Sequence, residues 1–184
     1  MSAPLMRGAD LIGMPVVDAS TGDDIAEVRD VVFDPARGSI TGMTLRKRGF
    51  LGRRMRQVLP IESVLAVGTH AVMVAGTTAL TDLDDAPDEV VPDQRTEVVR
   101  DEVITESGKV LGRVGDVVLV GGNEPHVVGF EVSDGPVGPG LVPLSAHTAV
   151  SGGAVIVPDD FESRIRTDLT GLAAELALME GDRS

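Results

Sequence analysis

The chain has 184 residues, a formal net charge of −13 at pH 7 and no cysteine. The missing cysteines exclude disulfides, thiolate metal sites and cysteine nucleophiles, and the negative charge argues against a nucleic-acid-binding surface spread over the whole protein. Neither a signal peptide nor an apolar stretch long enough to cross a membrane is found in the sequence, so we expect a cytoplasmic protein.

The first predicted elements are two strands joined by a tight turn. Residues 15–18 read as an apolar strand, and the polar cluster at 20–23 forms a turn in which Gly22 can adopt a positive φ. The next strand changes its apolar face near Arg29 and Asp30. This change indicates a β-bulge or a strong bend, which small closed sheets need in order to curl.

A copy of residues 21–34 returns at residues 107–120, with Gly108 in the place of Gly22. Three later strands repeat as well, at 41–45 and 128–132, at 58–61 and 141–144, and at 71–74 and 154–157. We therefore predict two small β domains of about 60 residues each, at 10–76 and 98–158. A domain of that size is marginally stable alone, so we expect it to pack against another surface.

The segment between the two predicted domains, residues 77–97, is acidic. It carries seven carboxylates, at Asp82, Asp84, Asp85, Asp88, Glu89, Asp93 and Glu97, beside Pro87 and Pro92. This composition predicts an extended acidic linker.

An amphipathic helix is predicted at residues 159–180. Its apolar residues recur every three or four positions, at Phe161, Ile165, Leu169, Leu172, Leu176 and Met179. Asp159 is the expected N-cap, with Glu162 three positions on. Six large apolar side chains left in water would forgo about 1.5 to 3 kcal/mol each. We therefore expect the stripe to pack against a β domain or to form a homodimer contact.

The pattern of turns and apolar positions is similar to that of the PRC-barrel family. The residues that carry the resemblance are Gly22, Ile25, Val28, residues 30–34, Gly42 and residues 58–61, and both copies show it. The resemblance implies a mainly β chain with two tandem small PRC-type antiparallel β-barrels, followed by the C-terminal amphipathic helix. It also implies that the barrels bind other macromolecules, without catalytic residues or a cofactor.

The family includes the cytoplasmic barrel of the photosynthetic reaction centre H subunit and the C-terminal domain of the ribosome-maturation protein RimM. The sequence contains neither the membrane helix of the first nor the amino-terminal domain of the second. We therefore expect neither role to carry over by fold alone.

The sequence contains no pattern of a metal or catalytic site. His70, His126 and His147 have no ligand companions at metal-binding spacing, and neither a phosphate-binding glycine loop nor a Gly-x-Ser-x-Gly motif is present. We therefore expect no metal, no cofactor and no enzymatic activity.

Two aspartates occupy matched positions in the repeat, Asp30 and Asp116, among apolar residues. A carboxylate in apolar surroundings can be a general base with a raised pKa. Because both copies have one, we favour a structural role, in which each accepts backbone N–H bonds at a strand bend. Gly22 and Gly108 are likewise expected to be structural, as turn residues.

The candidate binding site is a basic segment at residues 46–57. It contains six of the sixteen basic residues and no acid, which leaves a balance of −19 on the rest of the chain. The candidate contact residues are Arg46, Lys47, Arg48, Phe50, Leu51, Arg53, Arg54, Met55 and Arg56. Either these cations pair with the acidic linker, or they contact an anionic partner, with Phe50, Leu51 and Met55 as apolar anchors.

Our leading functional hypothesis is a non-enzymatic protein-interaction or adaptor module. The alternative is an RNA-binding ribosome-assembly factor similar to RimM, and ligand or enzyme chemistry in a groove between the two barrels ranks last. We rank an acidic protein surface first as the partner, an anionic membrane surface second and RNA third. Phe50 is the only aromatic side chain in the segment that could stack on bases, and the negative remainder of the chain repels a long polyanion.

Overall fold

The computed structural model describes residues 3–34, 39–49, 52–91, 98–136, 138–151 and 153–181. The chain is mainly β, with two curled sheets and a C-terminal helix, which confirms the predicted fold class. Contacts divide it into two units, Met1–Glu97 with Val120–His126, and Val98–Leu119 with Val127–Ser184. In the described part of the chain, no helix is long and apolar enough to span a membrane.

The first unit begins with a short strand and one helical turn and continues as a meander of strands. Its described helix and strands are β1 (Leu5–Arg7), α1 (Gly8–Leu11), β2 (Pro15–Asp18), β3 (Asp24–Asp34), β4 (Ser39–Arg46), β5 (Arg54–Pro60), β6 (Val64–Val67), β7 (Val72–Val74) and β8 (Thr81–Asp82). Short 3₁₀ helices lie at Ile61–Ser63, Thr77–Ala79 and Asp88–Val90.

The sheet of the first unit has the strand order β6-β7-β2-β3-β4-β5-β8. Neighbouring strands are antiparallel, except that β2 and β7 are parallel. The ladder between β3 and β4 shifts register between Val28 and Asp30 and again between Val32 and Phe33. The bend predicted near Arg29 and Asp30 is therefore present as a β-bulge, which increases the local twist of the sheet.

The second unit repeats this meander. Its described elements are β9 (Glu102–Thr105), β10 (Val110–Val120), β11 (His126–Ser133), β12 (Gly140–Pro143), β13 (Ala149–Ser151), β14 (Ala154–Val157), α2 (Phe161–Arg164) and α3 (Leu169–Gly181). The main path of its sheet is β12-β11-β10-β9-β14-β13, with β9 and β14 parallel. Strand for strand, this is the order β5-β4-β3-β2-β7-β6 of the first unit.

Matched residues of the repeat form the two cores. Met43 on β4 and Leu59 on β5 are fully buried in the first unit, and Phe130 and Val142 are fully buried at the equivalent positions of β11 and β12. Each such side chain stabilises its unit by about 1.5 to 3 kcal/mol. Each unit therefore builds its core from the same positions of the repeat.

The acidic segment is folded against the first unit as far as residue 91. β8 adds to the edge of β5, with Thr81 opposite Val58 and Asp82 opposite Gln57. The predicted extended linker is therefore wrong for residues 77–91, because this segment finds backbone partners on the sheet. Residues 92–97 lie outside the described residues.

The segment then places Val90 on the middle of β4. Val90 is buried, and a Cβ atom added to Gly42 would lie 2.6 Å from its Cγ1 and 2.8 Å from the Leu59 carbonyl oxygen. Only a residue without a side chain leaves room for Val90 here. We call residues 77–91 the acidic cover.

The chain after β14 makes the same return in the second unit. The backbone of Arg166 exchanges two hydrogen bonds with that of Leu141 on β12, at 2.6 and 3.0 Å. Leu172 is fully buried and lies over Gly129 on β11, where an added Cβ would be 3.5 Å from its Cδ2. Leu141 and Gly129 are the repeat equivalents of Val58 and Gly42.

The predicted single helix at residues 159–180 is interrupted. The C-terminal helix is present as α3, but Ile165 between α2 and α3 is extended, with a ψ of 132°. The helix ends there because Arg166 pairs with β12 and because Ile165 packs directly on the bare Cα of Gly140. A continuous helix would withdraw Arg166 from the sheet edge.

The start of α2 also differs from the prediction. The residue that precedes the helix is Asp160, not Asp159, and no side chain caps the helix there. The Asp159 carboxylate instead accepts a hydrogen bond from the Ser107 N–H at 2.9 Å, in the turn between β9 and β10. Asp159 therefore ties the C-terminal segment to that turn.

The predicted apolar stripe is buried in part. Phe161 and Leu172 are buried, and α3 packs on β12 of its own unit. The remaining stripe residues are half-buried: Ile165, Leu169, Leu176 and Met179. Leu178 is 65% exposed. The homodimer contact through this helix stays a prediction.

A buried ion cluster, which the sequence did not predict, fastens α3. Glu175 is only 3% exposed, and its carboxylate pairs with Arg164 at 2.8 Å and with Arg166. Arg164 also pairs with Asp160 at 2.7 Å; the hydrogen bonds that it donates to Asp160 and then to Glu175 raise its pKa above the usual value. The cluster links α3 to both sides of the break between the helices.

We expect Gly42→Ala and Gly129→Ala each to lower the free energy of unfolding by about 1 to 3 kcal/mol. The new methyl group would lie 2.6 Å from Val90 Cγ1 in the first variant and 2.5 Å from the Val142 carbonyl oxygen in the second. Urea unfolding followed by circular dichroism measures the change. Gly115→Ala is the matched control, since its Cβ meets nothing closer than 3.7 Å. An equal loss in that control would contradict the prediction.

We expect Asp159→Asn to be less stable than the wild type at pH 7. The hydrogen bond from the Ser107 N–H lowers the pKa of Asp159 below 3.8, and a hydrogen bond from the Ser107 side chain lowers it further. A lowered pKa stabilises the fold above the unfolded value, and this contribution is lost as the pH falls through the folded value. The stability difference should therefore shrink below about pH 4, as measured by thermal unfolding at several pH values. The control is Asp134→Asn, which removes the same charge from an exposed turn; a difference that persists at pH 2 would contradict us.

Candidate functional site: a basic hairpin

The basic residues lie on and between β4 and β5, and we call residues 46–57 the basic hairpin. Arg46 ends β4 opposite Arg54, the first residue of β5, and the Lys47 N–H donates to the Arg53 carbonyl at 3.0 Å. Gly52 is required in the connection, because a Cβ there would overlap the Lys47 carbonyl oxygen. Two predicted contact residues, Phe50 and Leu51, lie outside the described residues.

Three of the six cations are paired with carboxylates. Arg46 Nε donates to Glu27 Oε2 on β3 at 2.9 Å, and Arg48 pairs with Asp24. Arg56 pairs with Asp84 of the acidic cover at 2.8 Å, although the two side chains are 79% and 80% exposed. Exposed pairs of this kind contribute about 0 to 1 kcal/mol.

The other three cations are Lys47, Arg53 and Arg54. All three are exposed, and within the described ranges of the chain none of them forms an ion pair. Arg54 stands directly opposite Arg46 in the ladder, an arrangement of like charges that destabilises a strand pair. Met55, which follows Arg54 on β5, is half-buried. The hairpin therefore presents uncompensated positive charge beside one partly exposed apolar side chain.

The acidic cover reaches only part of the hairpin. The Leu83 N–H donates to the Arg56 carbonyl at 2.8 Å, and the cover then turns away, with the Asp85 N–H donating to the Asp82 carbonyl at 2.9 Å. As far as the structure describes the chain, the same edge of β5 carries no strand partner at Arg54 and Met55. The cover therefore pairs with Arg56 and leaves the start of β5 free, and the contact with an anionic partner stays a prediction.

The glycines and aspartates singled out by the repeat lie in turns and bends. Gly22 and Gly108 have φ values of +78° and +86°, and an added Cβ would meet nothing within 4 Å, so the backbone conformation alone favours glycine. Asp30 Oδ1 accepts from the Val31 N–H at 2.9 Å and Asp116 Oδ1 from the Val117 N–H at 2.8 Å.

The predicted apolar surroundings of the two aspartates are not found. Asp30 is exposed and Asp116 is half-buried. At Asp30 the sequence pattern failed because the ladder between β3 and β4 shifts register beside it, and a β-bulge changes which neighbours a side chain meets.

The histidines do not come together. His70, His126 and His147 are each exposed. His70 contacts the Thr69 hydroxyl at 2.8 Å, and His126 contacts the Glu124 carbonyl at 2.8 Å. Among the described residues, no group of three or more His, Asp or Glu side chains could hold a metal ion.

Comparison with known families agrees with the repeat. A family model described as the PRC-barrel domain matches residues 4–80 and again residues 93–164. Each match covers one copy of the meander, and together they span well over half of the chain. No curated protein matches the sequence significantly.

We expect Arg53→Gln/Arg54→Gln to leave the free energy of unfolding unchanged within about 0.5 kcal/mol, or to raise it slightly. Neither side chain has an ion pair in the described residues, and both repel neighbouring cations. Arg46→Gln, which loses the Glu27 pair, should instead lose up to about 1 kcal/mol. Urea unfolding of the three proteins measures this, and a larger loss in the double variant than in Arg46→Gln would contradict the prediction.

Proposed function

Because the chain belongs to the PRC-barrel family, we propose that it is a non-enzymatic protein-interaction module whose basic hairpin contacts an acidic protein surface. The observation that carries the proposal is the set of exposed cations, Lys47, Arg53 and Arg54, that have no ion-pair partner among the described residues. Folding does not use their charge, so it is available to a partner.

The scaffold suits this role because it holds the charges in place. Arg54 lies in a strand that pairs with β4 on one side, and the hairpin connection is closed by the hydrogen bond between Lys47 and Arg53. Charges on a rigid strand lose little conformational freedom when a partner binds. Such a surface steers an oppositely charged partner and selects against like-charged ones.

An acidic protein is favoured over the other anions because it can add contacts to the charge pairing. An anionic membrane offers about 1 kcal/mol per basic residue near its surface, so the three unpaired cations alone would give only weak attachment, whereas a protein surface gains a similar amount per charge and adds packing and hydrogen bonds. RNA binding draws on aromatic side chains that stack on bases, and the chain has four phenylalanines and no tryptophan or tyrosine. The remaining charge of −19 also repels a long polyanion.

The repeat supports an adaptor with two unlike binding loops. The loop of the second unit that corresponds to the basic hairpin, residues 133–140, contains no basic residue and one aspartate. Two barrels of one topology thus present opposite charge at the same place. Such units would select different partners, which is the property that an adaptor needs.

We expect Lys47→Gln/Arg53→Gln/Arg54→Gln to lose the partner that the native protein recovers in a pull-down. Three exposed cations at about 0.5 to 1 kcal/mol each correspond to about a ten- to hundredfold loss of affinity. The charge control is Arg100→Gln/Lys109→Gln/Arg113→Gln, which removes the same charge from the second unit, together with the exposed pairs to Glu162 and Glu102, and should retain the partner.

Three parallel assays separate the kinds of partner: mass spectrometry of recovered proteins, flotation with anionic liposomes, and RNA filter binding. Loss of an acidic protein in the hairpin variant alone supports the proposal. Retention of every partner by that variant would contradict it, and a hairpin-dependent signal only with liposomes or only with RNA would assign the site to that ligand instead.

A further inference from the structure

The geometry points to the acidic cover as an internal ligand of the basic hairpin, and we propose that the partner is an acidic extended peptide that displaces it and adds a strand to β5. This inference rests on the proposed function and specifies the chemistry of the partner. It also gives the chain a built-in competitor for its own site.

Both units bind a returning segment at the same place. Thr81 of the cover lies opposite Val58 on β5, and Arg166 pairs with Leu141 at the equivalent position of β12. Further along the returning segment, an aliphatic side chain packs on a strand glycine. In the first unit this is Val90 on Gly42. This edge and this glycine form a receptor site for a strand with an aliphatic residue after it.

The two returning segments are attached to their sheets by contacts of very different extent. In the second unit α3 has 13 residues, and the buried Glu175 carboxylate clamps it to Arg164 and Arg166. The acidic cover has a two-residue strand, the buried side chains of Ala79 and Val90, and the fully solvated pair between Arg56 and Asp84. The cover is thus the lightly attached one of the two.

A strand from a partner can make contacts with β5 that the acidic cover does not make. The antiparallel register puts position 82 opposite Gln57, and the Leu83 N–H continues it to the Arg56 carbonyl. The ladder between β5 and β4 shifts register between Val58 and Arg54, so an extended strand that follows this bulge would put its next three residues beside Arg56, Met55 and Arg54. The cover turns away at Asp85 instead. A partner that continues straight gains backbone hydrogen bonds along this open edge of β5, which is the usual mode of strand addition.

The same register sets the side chains that the partner needs. Residues directly opposite in a ladder share a face of the sheet, so acidic residues opposite Arg56 and Arg54 would lie beside those cations. An aliphatic residue between them would lie beside Met55, which is half-buried. The motif that fits is a pair of acidic residues separated by one aliphatic residue in an extended chain.

The test uses the full-length protein and a labelled peptide, Ala-Leu-Thr-Asp-Glu-Val-Glu-Val, which copies residues 79–82 and then continues with the predicted motif. The control peptide has Gln in place of both Glu residues. Fluorescence anisotropy measures both peptides on the wild type, on an opened variant, Asp84→Asn/Val90→Ala, and on Arg53→Gln/Arg54→Gln.

We expect the opened variant to bind the acidic peptide at least about tenfold more tightly than the wild type, because the internal competitor is weakened. The arginine variant and the control peptide should each bind at least about tenfold more weakly. Hydrogen exchange on the unmodified wild type supplies a readout that does not depend on the variants folding. Saturating peptide should protect the amides of residues 54–58 and speed exchange in residues 81–91.

Two results would overturn the displacement and leave the proposed function standing. One is arginine-dependent peptide binding with no change in exchange at residues 81–91 and equal affinity for the opened variant. The other is a dimer of the opened variant that competes with the peptide, which would assign the site to a second copy of the chain. Equal binding of the acidic peptide to the wild type and to the arginine variant would overturn both the displacement and the hairpin as the contact site.

Discussion

Each unit depends on one packing contact, in which an aliphatic side chain lies on the bare Cα of a strand glycine. We call this position the seat. In the first unit the bare Cα of Gly42 faces Val90, and the Leu59 carbonyl lies on the same side, 2.8 Å from where a Cβ would be. Gly129, Leu172 and the Val142 carbonyl repeat the arrangement. Because this position must be filled, the chain returns to the sheet after its last strand. The returning segment pairs with the outer strand, which would otherwise be an exposed edge.

The two units meet this constraint with different chemistry. A helix fills the seat in the second unit, and a buried carboxylate between two arginines fixes that helix. Removing one member of such a cluster would leave a charge without compensation, which makes the attachment hard to undo. In the first unit a short acidic segment fills the seat, and its exposed ion pair costs little to break. One repeat therefore provides a permanent attachment and one that a competitor can replace.

The basic hairpin draws its significance from this second kind of attachment. Arg54 and Arg56 belong to a strand, β5, whose edge is only partly occupied, so charge and backbone hydrogen-bonding capacity are free at the same place. Arg54 shows both, since it faces Arg46 across one ladder and, within the described residues, no strand on its other side. A basic loop elsewhere on the surface would attract anions, but it would not orient an extended chain.

The repeat, the turns and the strand meander were readable from the sequence because they depend on residues close together in the chain. Gly22 and Gly108 recur at matched turns, where the local backbone needs a positive φ, and the change of apolar face near Arg29 predicted the bulge. Alternation of apolar residues located β4 and β11, since it reports which face of a strand is buried. The cationic segment was equally visible, as a run of like charge.

Tertiary structure alone decided which of these features act together. Val90 packs on Gly42, and Glu175 pairs with Arg164 and Arg166. Neither contact produces a periodic pattern in the sequence. The acidic composition of residues 77–91 suggested an extended linker, but the backbone partners on β5 and the seat at Gly42 fold it. The apolar spacing of residues 161–179 suggested one helix, but the bridge between Arg166 and Leu141 breaks it. In such places tertiary contacts override the local propensity for a helix or an extended chain. They do so because the burial and backbone pairing that a distant strand offers outweigh that propensity.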